Sequence, residues 1–214
     1  MKSSAFSLVV LFLAATLAQA DWVLVQKTNT EGKETQVTTK IKDDQARVDM
    51  GEKMSVIVGT EGMTMIMHAQ KMIMKRDLAT IKAAMEKMGK GAAGQPAAKP
   101  VSTGQKEKVG EWDTEIYTWE GQMGKGRFWV AKDFPNYAEI SAFSDKLGKI
   151  VGGTMSALSP QASDFEGMVV KSEVTMMGKS VNSHLVSAKE ETVPPEEFVP
   201  PAGYTEMKMP GAPR

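Results

Sequence analysis

The chain contains no cysteine. That absence removes disulfides, thiolate nucleophiles and cysteine-based metal sites together. It also removes the lipid-bearing cysteine that a bacterial lipoprotein carries just after its leader. Histidine is almost as scarce, with only His68 and His184 among 214 residues. Neither sits in a nucleophile-elbow or metalloprotease motif, so a triad or zinc hydrolase lacks its base and its ligands. Excess charge is missing too: 26 basic and 26 acidic side chains give a formal net charge of zero. Without a basic block there is no electrostatic footprint for nucleic acid and no strong pull toward an anionic membrane. No enzyme activity, resident cofactor or metal is therefore expected.

Long apolar runs are confined to one place. Residues 5–17 (AFSLVVLFLAATL) are apolar but too short to span a bilayer. Lys2 precedes them, and Ala18-Gln19-Ala20 follows as a small-x-small cleavage pattern. Residues 1–20 read as a signal peptide, cleaved after Ala20. A periplasmic or secreted location is expected, with no transmembrane segment in the mature chain. Residues 21–207 are expected to form one domain, with a disordered tail at 208–214.

The mature chain begins with alternation. Trp22, Leu24 and Gln26 share one strand face, and Ala46, Val48 and Met50 repeat the pattern further on. Turn residues break the series at residues 29–32, at Asp43-Asp44, at Gly51 and at residues 59–62. Six short antiparallel strands follow from this, ending near Lys75. The period then changes. Asp77 can cap a helix in which Leu78, Ile81, Met85 and Met88 recur at three and four. Residues 91–105 (GAAGQPAAKPVSTGQ) hold only small residues, Pro, Gly and polar side chains, so a flexible linker is expected over 90–105.

Strands resume at GEWDTEIYTW (110–119) and RFWVA (127–131). A second amphipathic helix is expected over 141–158, through Phe143, Leu147, Ile150, Val151 and Met155. A final hairpin is expected around Gly178-Lys179, and a Pro-rich tail should lie extended, pinned by Phe198 and Tyr204. The fold class is α+β: about ten antiparallel strands in a curved half-barrel, with two inserted helices covering its concave face.

Three segments carry a resemblance. GEWDTEIYTW, GRFWVAKDFPNY and the closing VPPEEFVPPAGYTEM resemble an uncharacterised secreted bacterial domain family, of the domain of unknown function 4412 type. The most recognisable piece is Phe198, Pro201, Gly203 and Tyr204. That family is similar to the LolA-like periplasmic lipoprotein carriers. The resemblance implies a LolA-like half-barrel closed by helices, and a carrier's style of binding, with a lipid or lipoprotein as the partner. It transfers no functional residue, because no motif matches those of LolA position by position.

Methionine is what the chain has in abundance, 17 residues. The stretch MTMIMHAQKMIMK (63–75) concentrates five of them. Folded as a hairpin about Ala69-Gln70, it sets Met67 opposite Met72, Met65 opposite Met74, Ile66 opposite Ile73 and Met63 opposite Arg76. Unbranched, polarisable thioethers suit an adaptable apolar surface. The leading expectation is an exported carrier that holds an apolar ligand between sheet and helices. Met65, Met67, Met72, Met74, Met85 and Met88 are its candidate ligand-binding residues, and motion of the 78–88 helix would gate the site.

Two other readings stand beside it. A Met-rich copper-binding envelope protein would use the same soft sulfurs, with His68 and His184 adding nitrogen. A structural or protein-interaction module would fill its core with these side chains. Two further clusters invite bland explanations. Trp112, Tyr117, Trp119 and Trp129 are first of all packing residues. Glu111, Asp113 and Glu115 alternate as a solvated strand face does.

Overall fold

The computed structural model describes residues 21–81, 83, 98–121, 124–147 and 160–207. The expected leader (1–20), Met85, Met88, most of the 90–105 segment, Met155 and the 208–214 tail lie outside them.

Among the described residues twelve strands make one long, curved, unclosed sheet, two more than the ten expected. The first six are β1 (Trp22–Thr30), β2 (Lys33–Lys42), β3 (Gln45–Met50), β4 (Met54–Val58), β5 (Gly62–Met67) and β6 (Met72–Asp77). The others are β7 (Val101–Val109), β8 (Trp112–Gly121), β9 (Gly124–Ala131), β10 (Met168–Met176), β11 (Lys179–Glu190) and β12 (Thr205–Glu206). Their spatial order is β12-β6-β5-β4-β3-β2-β1-β11-β10-β9-β8-β7. Two meanders therefore lie side by side, joined where β1 pairs with β11. The pairing is antiparallel throughout, apart from β12, which runs parallel to β6.

Turn chemistry explains the short connections. Glu31 and Gly32 both take positive φ (52° and 85°), and Thr30 pairs with Lys33 across them. That is the mirror-image turn whose twist matches a hairpin. The last hairpin repeats it one residue earlier than expected. Met176 pairs with Lys179, so the turn is Met177-Gly178, at φ 51° and 80°.

The linker expectation fails at its end. Val101–Gln105 belong to β7, which pairs with β8 as the outermost strand. β7 is exposed along almost its whole length and has no apolar alternation, so nothing in its pattern marked it as a strand. Its Lys106, Glu107 and Lys108 and the register shift between Ser102 and Lys106 are the devices that keep an open edge from pairing further.

Asp77 caps a helical turn at 78–81 as expected, its Oδ1 accepting the Thr80 N–H at 2.6 Å. The second helix, α1 (Tyr137–Leu147), starts four residues earlier than the apolar pattern suggests. Asn136 precedes it with φ 53°, and its carbonyl accepts the Glu139 N–H.

Register separates two faces over β1–β6. One carries Trp22, Leu24 and Ile41, which pack with Ile140 of α1 and with Ile116, Trp129, Val170 and Leu185 in the largest core cluster. This is the helix face. The other carries Ile57, Ile66 and Ile73 beneath Val193 and Phe198, and is the tail face. The segment after β11 crosses it, pinned as expected by Phe198, which is buried, and Tyr204, which is half-buried. It is not extended throughout: Pro195–Phe198 form a 3-10 turn, with Pro195 fixing its first φ. A third cluster joins Tyr117, Trp119, Phe128 and Val130 under Phe165. The four aromatics expected as one group are thus divided. Trp129 belongs to the core cluster against which Trp112 packs, and Tyr117 and Trp119 belong to the third. Alternation on β8 forces that split.

Candidate functional site: a methionine wall on the helix face

Pairing across β1–β6 sets helix-face residues in rows perpendicular to the strands. The first row runs Gln26, Val37, Met50, Met54, Met67, Met72. The second runs Leu24, Thr39, Val48, Val56, Met65, Met74, and the third Trp22, Ile41, Ala46, Val58, Met63, Arg76. Seven methionines share this end of the face, and all seven are half-buried. Directly opposite side chains in such rows have Cβ atoms about 5 Å apart. The second and third rows begin at Leu24 and Trp22, so the wall continues the face on which α1 packs.

The hairpin register agrees with the sequence reading pair for pair: Met67 with Met72, Met65 with Met74, Ile66 with Ile73, Met63 with Arg76. The His68 carbonyl accepts the Lys71 N–H at 3.2 Å, and Lys71 takes φ 49° to close the turn. Met65, Met67, Met72 and Met74 are therefore neighbours. Met50, Met54 and Met63 also belong to the wall and were not among the candidates: Met63 faces Arg76 rather than another methionine, and the place of Met50 and Met54 depends on the β3–β4 register rather than on local spacing. An alternation template continued across the Gly51 turn would have found Met54 opposite Met50.

Two open grooves are formed by described residues, and only the first touches the wall, through Met63 and Arg76 at the end of its third row. One of about 480 Å³ is bounded by Gln45, Ile57, Thr64, Lys75 and the 59–62 turn. The other, about 830 Å³, lies by Trp119, Arg127 and Glu173. Neither is lined by Met65, Met67, Met72 or Met74.

The opposite, tail face carries the polar chemistry. Ser55 is almost fully buried and donates to Asp49 Oδ1 at 2.5 Å, while its Oγ lies 2.7 Å from His68 Nε2. His68 Nδ1 lies 3.0 Å from the Tyr204 hydroxyl. Arg47 donates from Nε to Asp49 Oδ1 at 2.7 Å and from a terminal nitrogen to the Glu197 carbonyl at 2.9 Å. The order differs from a nucleophilic triad, since the carboxylate contacts the hydroxyl and not the imidazole. What this arrangement does is fasten the tail: Tyr204 and Glu197 are anchored to β3, β4 and the hairpin turn. It also settles where His68 points, away from the methionine wall. His184 is exposed on β11, opposite Lys27 of β1, and four strands (β1, β2, β3 and β4) separate it from the β5–β6 hairpin in the sheet order. Among the described residues no three His, Cys, Asp or Glu side chains group closely enough to hold a metal ion.

Of the acidic row, Glu115 on β8 is occupied by ordinary pairing. Glu115 accepts from the Ser102 hydroxyl and from Lys132 at 2.9 Å, and both hold its carboxyl below the usual range. Glu115 and Glu166 in turn push the Lys132 ammonium upward. The Asp77 carboxyl is lowered by the Thr80 N–H and hydroxyl that it caps. No described helix is long and apolar enough to cross a membrane.

Residues 22–204 match the family described as "Domain of unknown function (DUF4412)". No curated protein sequence matches the chain significantly. Among solved structures, the fold is similar to an uncharacterised conserved protein from Thermus thermophilus. That match has a TM-score of 0.55 and 8% identity, and covers 89% of this chain and 91% of that one. More distant similarities include the Mycobacterium tuberculosis lipoprotein LppX (TM-score 0.41, 10% identity, 80% and 88% covered). Another is a LolA superfamily protein from Nitrosomonas europaea (TM-score 0.34, 9% identity, 86% and 91% covered).

Proposed function

The chain belongs to the DUF4412 family, and from that premise we propose that it is an exported carrier holding an apolar ligand against its methionine wall. The ligand class is an acyl chain or the lipid moiety of a lipidated partner. One observation carries this reading: seven half-buried methionines in adjoining rows, on the same face as the core beneath α1. A wall of β-branched residues packs one shape. Thioether side chains with three rotatable bonds adapt to many, which is what a site for variable chains requires. Apolar burial at about 25 cal/mol per Å² supplies the affinity. The tail-face network holds the strands that bear the wall in fixed register.

Export with cleavage after Ala20 belongs to this proposal, and Asp21 should be the first residue of the envelope form. The test is native mass spectrometry of protein purified from its own envelope. A co-purifying lipid mass, lost on delipidation and restored by added fatty acid, is the expected result. A ligand-free mass together with no uptake of a fluorescent fatty acid would exclude the carrier role.

A further inference from the structure

We propose that Met65, Met67, Met72 and Met74 form a four-thioether site for a soft monovalent cation, copper(I) in its native setting. This goes beyond the carrier reading, because it concerns the sulfur atoms themselves and not the apolar surface they provide.

The argument is geometric. Met67 and Met72 are directly opposite, as are Met65 and Met74, and the two pairs stand two residues apart on the same strands. Their Cβ atoms therefore mark a rectangle of about 5 Å by about 7 Å. From its centre each Cβ lies about 4 Å away in the plane of the sheet. A methionine sulfur sits two bonds beyond Cβ, and a metal–sulfur bond adds about 2.3 Å. All four sulfurs thus reach one ion held just above the rectangle. Three methionines on one strand could not do this, since alternate residues alone place the outer two too far apart.

Ligand chemistry sets the selectivity. Thioethers are soft and uncharged, so they favour copper(I) over zinc or magnesium, which want imidazole, thiolate or oxygen. No carboxylate or imidazole belongs to the quartet, and His68 is turned to the other face by its bonds to Ser55 and Tyr204. All four side chains are only half-buried, so an ion arrives without opening the core. Met54 lies directly opposite Met67, with Met50 beyond it, and together they extend the row as a path of further sulfurs.

The experiment is anaerobic titration of the full chain with copper(I) against a chromophoric chelator, with zinc(II) in parallel. One equivalent of copper(I) withdrawn from the chelator, and no zinc bound, is the expected result. Met67→Leu/Met72→Leu should weaken copper(I) by at least tenfold, and Met177→Leu, at a 73% exposed turn residue, should not. Leucine keeps the wall apolar, so fatty-acid uptake by the double variant reports on the carrier reading separately. A readout free of any folding defect uses methyl-labelled methionine in the wild type. On adding silver(I), the methyl signals of Met65, Met67, Met72 and Met74 should shift first. Failure to compete with the chelator, unchanged binding by the double variant, or silver shifts confined to other methionines would each overturn the site.

Discussion

Asp21→Asn tests how the first residue of the fold is fastened. Asp21 is only 8% exposed. Its Oδ2 accepts from Lys42 Nζ at 2.7 Å and from the Val193 N–H at 2.9 Å, and its carbonyl accepts the Glu191 N–H at 3.2 Å. One carboxylate thus joins the start of β1, the end of β2 and the chain leaving β11. Burial pushes its pKa up, but the Lys42 and Val193 bonds outweigh that, and the net value lies below the ordinary 3.8. An asparagine keeps an acceptor for Val193 and loses the charge facing Lys42. A hydrogen bond to a charged group contributes about 1.5–3 kcal/mol. For a domain of this size that corresponds to a melting point lower by roughly 3–12 °C at pH 7.

The sign with pH follows from linkage. A depressed carboxylate pKa contributes stability that is fully present above the unfolded value and is lost as pH falls through the folded one. The gap between wild type and Asp21→Asn should therefore be constant from pH 7 to about pH 5 and close progressively below pH 4. Circular dichroism melts across that range measure it. Equal melting points at pH 7, or a gap that widens in acid, would refute the reasoning.

Other outcomes follow from the two faces. Ile66 is fully buried under the tail, so Ile66→Ala should cost about 2–5 kcal/mol in urea unfolding. Tyr204→Phe keeps the ring and removes the hydroxyl facing His68, a loss of about 1 kcal/mol, with faster proteolysis of the tail as its second sign. Lys106→Val/Lys108→Val removes the two lysine charges from the β7 edge and should raise aggregation by light scattering while leaving the melting point nearly unchanged.

Local chemistry made much of the first meander legible. Alternation and turn residues set the β5–β6 register, the Asp77 cap and the tail's anchoring residues in advance. What escaped depends on partners distant in sequence. β7 is a strand because β8 offers it a ladder, and its own residues, VSTGQKEKV, carry no period. The start of α1 depends on Asn136 entering a left-handed conformation, which no apolar spacing encodes. Met50 and Met54 joined the wall only once three strands were in register. The aromatic residues of β8 and β9 looked like one cluster by proximity in sequence, and the pleat divided them.

The central claim is that the methionine wall takes up an apolar ligand, and a fluorescent acyl chain titrated into wild type and Met67→Lys tests it most directly. Met67 stands next to the β6 end of the first row, with Met54 on one side and Met72 on the other. A half-buried lysine there can turn its ammonium to water, so the fold should survive. A bound chain would lose its contact with one thioether and meet a charge in its place. Saturable binding by the wild type, weakened about tenfold or more in a folded Met67→Lys, is the predicted result. Equal binding by the two proteins, or none by the wild type, would contradict the account.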